Sequence, residues 1–254
     1  MKILEVKGLT KYFGGLAAVK NVDLSLEEGE VLSVVGPNGA GKTTFFNLIS
    51  GFERPTRGQI LFRNEDITNL PAHEIARKGL IRTFQANLTY GDLTVGENIM
   101  LGHYGTHRLN LIKEYLERPK RNRFIMDNTR RILNIFGLEQ RNAEPAGSLP
   151  HGSMRSLEVG YAIAGEPKVL LLDEPVCGMS FSESTKMIET IREMMRQGVS
   201  SIMLVEHNMR TVMKYSDRVV VLSYGEKIAE GKPAEIAANP RVIEAYLGEG
   251  YVTS

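Results

Sequence analysis

Residues 36–44 read Gly36-Pro37-Asn38-Gly39-Ala40-Gly41-Lys42-Thr43-Thr44. The pattern is G-x-x-x-x-G-K-[ST], a phosphate-binding P-loop with Gly36, Gly41, Lys42 and Thr43 in its fixed places. Val31-Leu32-Ser33-Val34-Val35 precedes it as a short apolar run that suits a buried strand. Phe45 to Ser50 follows and continues as a helix as far as Gly51. In that context the glycines let the backbone turn tightly, so that successive N–H groups face a phosphate chain. The helix N-terminus adds a favourable dipole. Lys42 is placed to reach the β- and γ-phosphates, and Thr43 to offer its hydroxyl to Mg²⁺. The whole stretch from Gly36 to Thr44 is therefore a candidate nucleotide contact.

Working outward, Ile3, Leu4 and Val6 predict a first strand that ends near Gly8. Val19, Val22, Leu24 and Leu26 alternate with polar residues, the period of a half-buried strand. Tyr12 and Phe13 lie between these strands; they read either as packed aromatics or as a platform for a nucleotide base. Beyond the P-loop helix, Gln59 to Phe62 predicts a strand and Pro71 to Lys78 a helix closed by Gly79. Leu80 to Phe84 predicts a strand that delivers Gln85 at its end. Helical signals then dominate from about Ala86 to Gly165. Thr94-Val95-Gly96-Glu97 is a capping-box pattern, and Ile132, Leu133, Ile135 and Phe136 form an apolar stripe closed by Gly137. Basic residues exceed acidic ones between Arg108 and Arg141, which fits a solvated helical face or a surface for an acidic partner.

The strand pattern returns at Val169-Leu170-Leu171-Leu172, which runs into Asp173-Glu174. A helix is predicted over Glu183–Gln197, then strands at Ser201–Val205, Val219–Leu222 and Lys227–Ala229, and a helical tail from Pro233 to Leu247. Strands alternating with helices around a P-loop predict a mainly parallel sheet covered on both faces.

With 254 residues, 42% hydrophobic and 24% charged, the composition is that of an ordinary globular chain. A formal net charge of +1 gives no global basic field for nucleic acid. Cys177 is the only cysteine, so an internal disulfide is excluded, which fits a reducing compartment. The N-terminal residues carry charges where a signal peptide needs an apolar run. No stretch approaches the roughly 20 apolar residues of a membrane span.

In a parallel sheet the ligand site lies beyond the carboxyl ends of the strands. The P-loop, Gln85, Asp173-Glu174 and His207 each follow a predicted strand directly, so the topology brings them toward one nucleotide. Asp173 is the candidate Mg²⁺ ligand, with Thr43 and Gln85. A carboxylate set beside four apolar residues without such a partner is costly. Glu174 is the candidate general base for an attacking water. Gln85 is placed to sense the metal and the γ-phosphate, and His207 to hydrogen-bond the γ-phosphate and orient the water.

The order P-loop, Gln85, Leu149-Pro150-His151-Gly152-Ser153, Val169-to-Glu174, His207 resembles the ATP-binding subunits of ABC transporters, over essentially the whole chain. The resemblance implies one α/β nucleotide-binding domain over residues 1–254. A P-loop NTPase (RecA-like) core with a mainly parallel sheet and an antiparallel β-subdomain would take residues 1–85 and 166–254. An inserted α-helical subdomain would take residues 86–165. It implies ATP and Mg²⁺ as ligands, Phe13 (or Tyr12) stacked on adenine, Gln85 as the Q-loop and His207 as the switch residue.

Such subunits pair head to tail, so Leu149, Gly152 and Ser153 would face the partner's nucleotide. Two departures stand out: Pro150 and Ser153 replace a serine and a glutamine of the usual signature, and Ser180 stands at the D-loop aspartate position. Thr83-Phe84-Gln85, Leu93 to Ile99, Val205 to Met209 and Val242 to Gly248 resemble the importers of branched-chain amino acids more closely. The expected partners are a second ABC ATPase subunit, permease subunits and, indirectly, a solute-binding protein, with no nucleic acid. The expected place is the cytoplasmic side of the inner membrane, held through the permease. An exporter ATPase for lipid or lipopolysaccharide, and a regulatory subunit with weak turnover, are the alternatives.

Overall fold

The computed structural model describes residues 1–83, 89–105, 111–196, 198–206 and 209–247, with the backbone alone at 111–119, 181, 196 and 247. In chain order the elements are β1 (Lys2–Phe13), β2 (Leu16–Glu27), β3 (Val31–Val35), α1 (Lys42–Ile49), β4 (Arg57–Phe62), β5 (Glu65–Asp66), α2 (Ala72–Arg77) and β6 (Leu80–Arg82). The helices α3 (Val95–Gly105), α4 (Leu111–Ile135) and α5 (His151–Ala164) follow. The chain then runs through β7 (Val169–Asp173), α6 (Phe181–Arg196), β8 (Ser201–Val205), α7 (Met209–Tyr215), β9 (Arg218–Ser223), β10 (Glu226–Gly231), α8 (Pro233–Ala237) and α9 (Pro240–Leu247). Among the described residues no helix is long and apolar enough to cross a membrane. Two compact units emerge: Met1–Ile75, Leu171–Glu174 and Ser200–Ser254 form the first, Ala76–Leu170 and Pro175–Val199 the second.

The first unit holds an antiparallel sheet ordered β2-β1-β4-β5 and a mainly parallel one ordered β10-β9-β3-β8-β7. β3 pairs in parallel with β8 on one side and β9 on the other, while β10 closes the edge as an antiparallel hairpin with β9. Every residue of β3, β7 and β8 is buried. That explains their continuous apolar runs, since a central strand covered on both faces has no polar side to show. β1 extends past the predicted end at Gly8 to Phe13. Its register with β2 shifts between Val6 and Leu9, and a bulge at Gly8 (φ +54) carries the strand on. The predicted helical tail is two helices, because Pro240 starts a new one after Asn239.

Arg218 knits this unit together. Its Nε donates to Glu30 Oε1 at 2.7 Å, Nη2 donates to the Ser25 carbonyl at 2.6 Å, and Nη1 pairs with Glu230. One guanidinium thus joins β9 to β2, β10 and the turn before β3, the fork geometry that suits arginine.

In the second unit α3, α4 and α5 pack together, with Ile99, Ile132 and Phe136 gathered around Gly160. Asn98 is fully buried and pins the preceding turn: its amide donates to the carbonyls of Tyr90 and Thr94 and accepts from the Tyr90 N–H. The capping box read at Thr94 forms as expected, with Glu97 N donating to Thr94 Oγ1 at 3.2 Å and Thr94 N donating to Glu97 Oε2 at 2.8 Å. The chain enters β7 beside β6, where Lys168 N and Val169 N both donate to the Gly79 carbonyl.

Candidate functional site

The P-loop leaves the carboxyl end of β3 and wraps into α1. Two of its positions accept nothing but glycine. A Cβ at Gly36 would lie 2.1 Å from the Leu222 carbonyl, and one at Gly41 (φ +96) would lie 2.3 Å from the Ala18 carbonyl. The loop is thus squeezed between β9 and β2, a close backbone approach that only glycine permits. α1 has no side-chain cap at Gly41. Its first N–H groups are available to an anion, the arrangement that makes a helix N-terminus a phosphate site.

Lys42 is 6% exposed, and its ammonium donates to the carbonyls of Gly36 at 2.7 Å and Pro37 at 2.9 Å. Burial pushes its pKa below the ordinary lysine value, against the opposing pull of Glu174 and then Asp173. Both carboxylates therefore act electrostatically on Lys42. Asp173 ends β7 and is buried, and Glu174 follows it in the left-handed region at φ +50. Glu174 N donates to the Val205 carbonyl at 2.9 Å, which ties this turn to the end of β8. The strain of a non-glycine residue at positive φ is a feature that clusters at functional sites.

A cavity of about 380 Å³ opens over the loop, lined by residues Asn38 to Thr44, by Glu174, and by Leu16, Ala17, Ala18 and Tyr224. The cavity thus brings together P-loop residues Asn38 to Thr44 and Glu174, while Gly36, Pro37, Phe13 and Asp173 are not among its lining residues. Thr43 and Asp173 offer a hydroxyl and a carboxylate, hard oxygen donors of the kind Mg²⁺ takes beside phosphates and water. Phe13 ends β1, half exposed, with the Lys11 ammonium 4.9 Å from its ring centroid. Gln85 and His207 lie outside the described residues. Leu16 and Tyr224 were missed by sequence reasoning. Neither belongs to a motif, and Tyr224 reaches the cavity through a hairpin turn far along the chain.

Leu149, Gly152 and Ser153 lie in the second unit, at the start of α5. Pro150 is the N-cap and supplies no side-chain hydrogen bond, as expected of a residue with neither hydroxyl nor N–H. The His151 ring abuts Gly178, where an added Cβ would meet His151 Cε1 at 2.8 Å. Glu183 Oε1 lies 3.1 Å from the Cβ direction of Gly152. Hydrogen bonds from the Ser180 hydroxyl and N–H, with the His151 charge adding to them, hold the Glu183 carboxyl below its usual range. Ser180 is itself the cap of α6: Oγ donates to Glu183 Oε2 at 2.6 Å, and Glu183 N donates back to Oγ at 3.3 Å.

Comparison with known proteins places these features in a family. The family model described as ABC transporter matches residues 19–177, and that of the branched-chain amino acid ATP-binding cassette transporter matches residues 226–252. The chain is 40% identical to the high-affinity branched-chain amino acid transport ATP-binding protein BraF of Pseudomonas aeruginosa, covering 97% of this chain and 98% of that one. It is equally similar, over the same shares, to LivG of Escherichia coli, a protein of the same description. Among solved structures, a nucleotide-free ATP-binding cassette from an ABC transporter superposes with a TM-score of 0.86 at 31% identity, covering 98% of this chain and all of that one. The ADP conformation of an ATP-binding cassette of an ABC transporter superposes equally well, again at 31% identity and covering 98% of this chain and 99% of that one. A P-loop locked between β2 and β9, a carboxylate pair at the end of β7, and relatives matched along nearly the whole length lead to one assignment: the chain belongs to the ABC transporter family.

Proposed function

We propose that this chain binds ATP with Mg²⁺ in the P-loop cavity and hydrolyses it to drive import of branched-chain amino acids or related small polar solutes through a membrane permease. The observation that carries this reading is the meeting of Lys42 and Glu174 over one cavity at the carboxyl end of a parallel sheet. The P-loop amides and Lys42 hold the phosphate chain and neutralise its charge. Thr43 and Asp173, with Gln85, would hold the metal, which would supply positive charge to offset that developing on the phosphates. Glu174 takes the proton from the attacking water, and His207 orients that water and reads the γ-phosphate. Phe13 stacks on the base.

The cargo rests on the names of the relatives, which match 97% of this chain. As in its family, the chain pairs head to tail with a second ABC ATPase subunit, so that Leu149, Gly152 and Ser153 complete the partner's nucleotide site. The pair works at the cytoplasmic side of the inner membrane, docked on permease subunits that a solute-binding protein serves.

The test is phosphate release and uptake of radiolabelled isoleucine by the reconstituted transporter. Glu174→Gln in this chain should leave ATP binding intact and slow phosphate release by about 10²-fold or more, the scale of a lost general base. Unchanged release in that variant overturns the assignment of Glu174. Uptake that ignores ATP overturns the transport reading.

A further inference from the structure

The turn between β9 and β10 is a two-residue hairpin loop, Tyr224-Gly225, with both residues at positive φ (+46 and +81), the type I′ geometry that such hairpins favour. Tyr224 sits in the left-handed region at φ +46, where side chains other than glycine, asparagine or aspartate are disfavoured. Where β4 turns into β5, the left-handed positions hold Arg63 and Asn64, polar residues at ease in water. Here a tyrosine takes the position and is 90% exposed. The turn is clamped from two sides. Gly225 N donates to the Ala40 carbonyl of the P-loop at 3.1 Å, and Lys20 N of β2 donates to the Gly225 carbonyl at 2.8 Å. The Lys20 ammonium also pairs with Glu226 at 2.6 Å. These contacts hold the turn in place beside the P-loop and β2. Tyr224 emerges on the wall of the P-loop cavity, with the exposed Leu16.

We propose that Tyr224 is a base-contacting residue of the nucleotide site, an aromatic platform for the purine ring of the nucleotide whose phosphates the P-loop holds. The proposal rests on the nucleotide reading of that cavity. The phosphate chain uses the loop amides, Lys42 and Thr43, all of them polar or charged groups. A purine needs a flat apolar surface beyond them, and Tyr224 with Leu16 supplies one. Phe13 has one face covered by the Lys11 ammonium, so a base resting on it keeps room for a second contact. Because every purine presents a π-face, the contact adds affinity without choosing between adenine and guanine.

The experiment is calorimetric titration of the purified full-length chain with ATP, with GTP and with inorganic tripolyphosphate. Tyr224→Ala should weaken ATP and GTP about tenfold, within the range of one base–aromatic stack, and leave tripolyphosphate affinity unchanged. Tyr224→Phe, which keeps the ring, should bind as the wild type does. Unchanged ATP affinity in Tyr224→Ala overturns the proposal. Equal losses for ATP and tripolyphosphate overturn it too, since the turn then acts on the P-loop rather than the base. Failure of the wild-type chain to bind either ligand removes the nucleotide reading, and the base contact with it.

Discussion

Lys42 carries a charge into a site that burial makes hostile to it. Its ammonium rests on two loop carbonyls and feels the charges of Glu174 and Asp173, yet desolvation outweighs them and its pKa falls below the ordinary lysine value of 10.5. The folded chain therefore releases this proton at lower pH than the unfolded chain does. Below the folded pKa the protonated site costs stability, and that cost fades as pH rises from the folded pKa toward 10.5. The stability of the wild type relative to Lys42→Met should thus increase with pH in the alkaline range. Urea midpoints of the two proteins across that range check it, and parallel pH curves would count against it. Lys42 and its neighbours are legible in sequence as a candidate phosphate site because the P-loop is a local motif with fixed spacing. Tyr224 is not legible, because its place in the cavity comes from a β9–β10 turn hydrogen-bonded to Ala40 and Lys20, contacts between distant stretches.

The readings of elements succeeded where a local signal decided the outcome and failed where tertiary pairing did. The buried runs of β3, β7 and β8 were plain, as was the Thr94–Glu97 capping box. The extent of β1 was not, since only its partners β2 and β4 draw the chain on past Gly8 to Phe13. β5 was missed because its two residues, Glu65 and Asp66, are exposed and gain strand character only by pairing with β4. Ser180 shows how one position serves two readings. In sequence it is a departure from the D-loop aspartate, and in the fold its hydroxyl caps α6 against Glu183. Ser180→Ala should lower stability by about 1 kcal/mol, while Ser180→Asn keeps most of the cap. Urea unfolding with unchanged steepness would confirm the first effect, and a Ser180→Ala protein as stable as the wild type would refute the capping role.

At the scale of the assembled molecule, the consequences lie in the contrast between the P-loop site and the start of α5. The P-loop site keeps Lys42, Asp173 and Glu174, whereas the start of α5 carries Pro150 and Ser153 and has the Glu183 carboxylate close to Gly152. A helix N-terminus attracts a phosphate through its N–H groups and dipole, and a nearby carboxylate offsets that attraction. Our hypothesis is that this subunit brings a complete nucleotide half-site but a weakened signature to a head-to-tail pair. If it pairs with a different subunit, the composite site built on its own P-loop turns over, and the one built on the partner's P-loop lags. Glu174→Gln in this chain should then remove nearly all phosphate release by the heterodimer, and the matching substitution in the partner should remove much less. Restoring serine at Pro150 and glutamine at Ser153 should narrow that gap by raising turnover at the partner's site, while leaving this chain's own ATP affinity as it was. Equal losses from the two glutamate substitutions, measured as phosphate release at saturating ATP, would show the two composite sites to be equivalent and end the hypothesis.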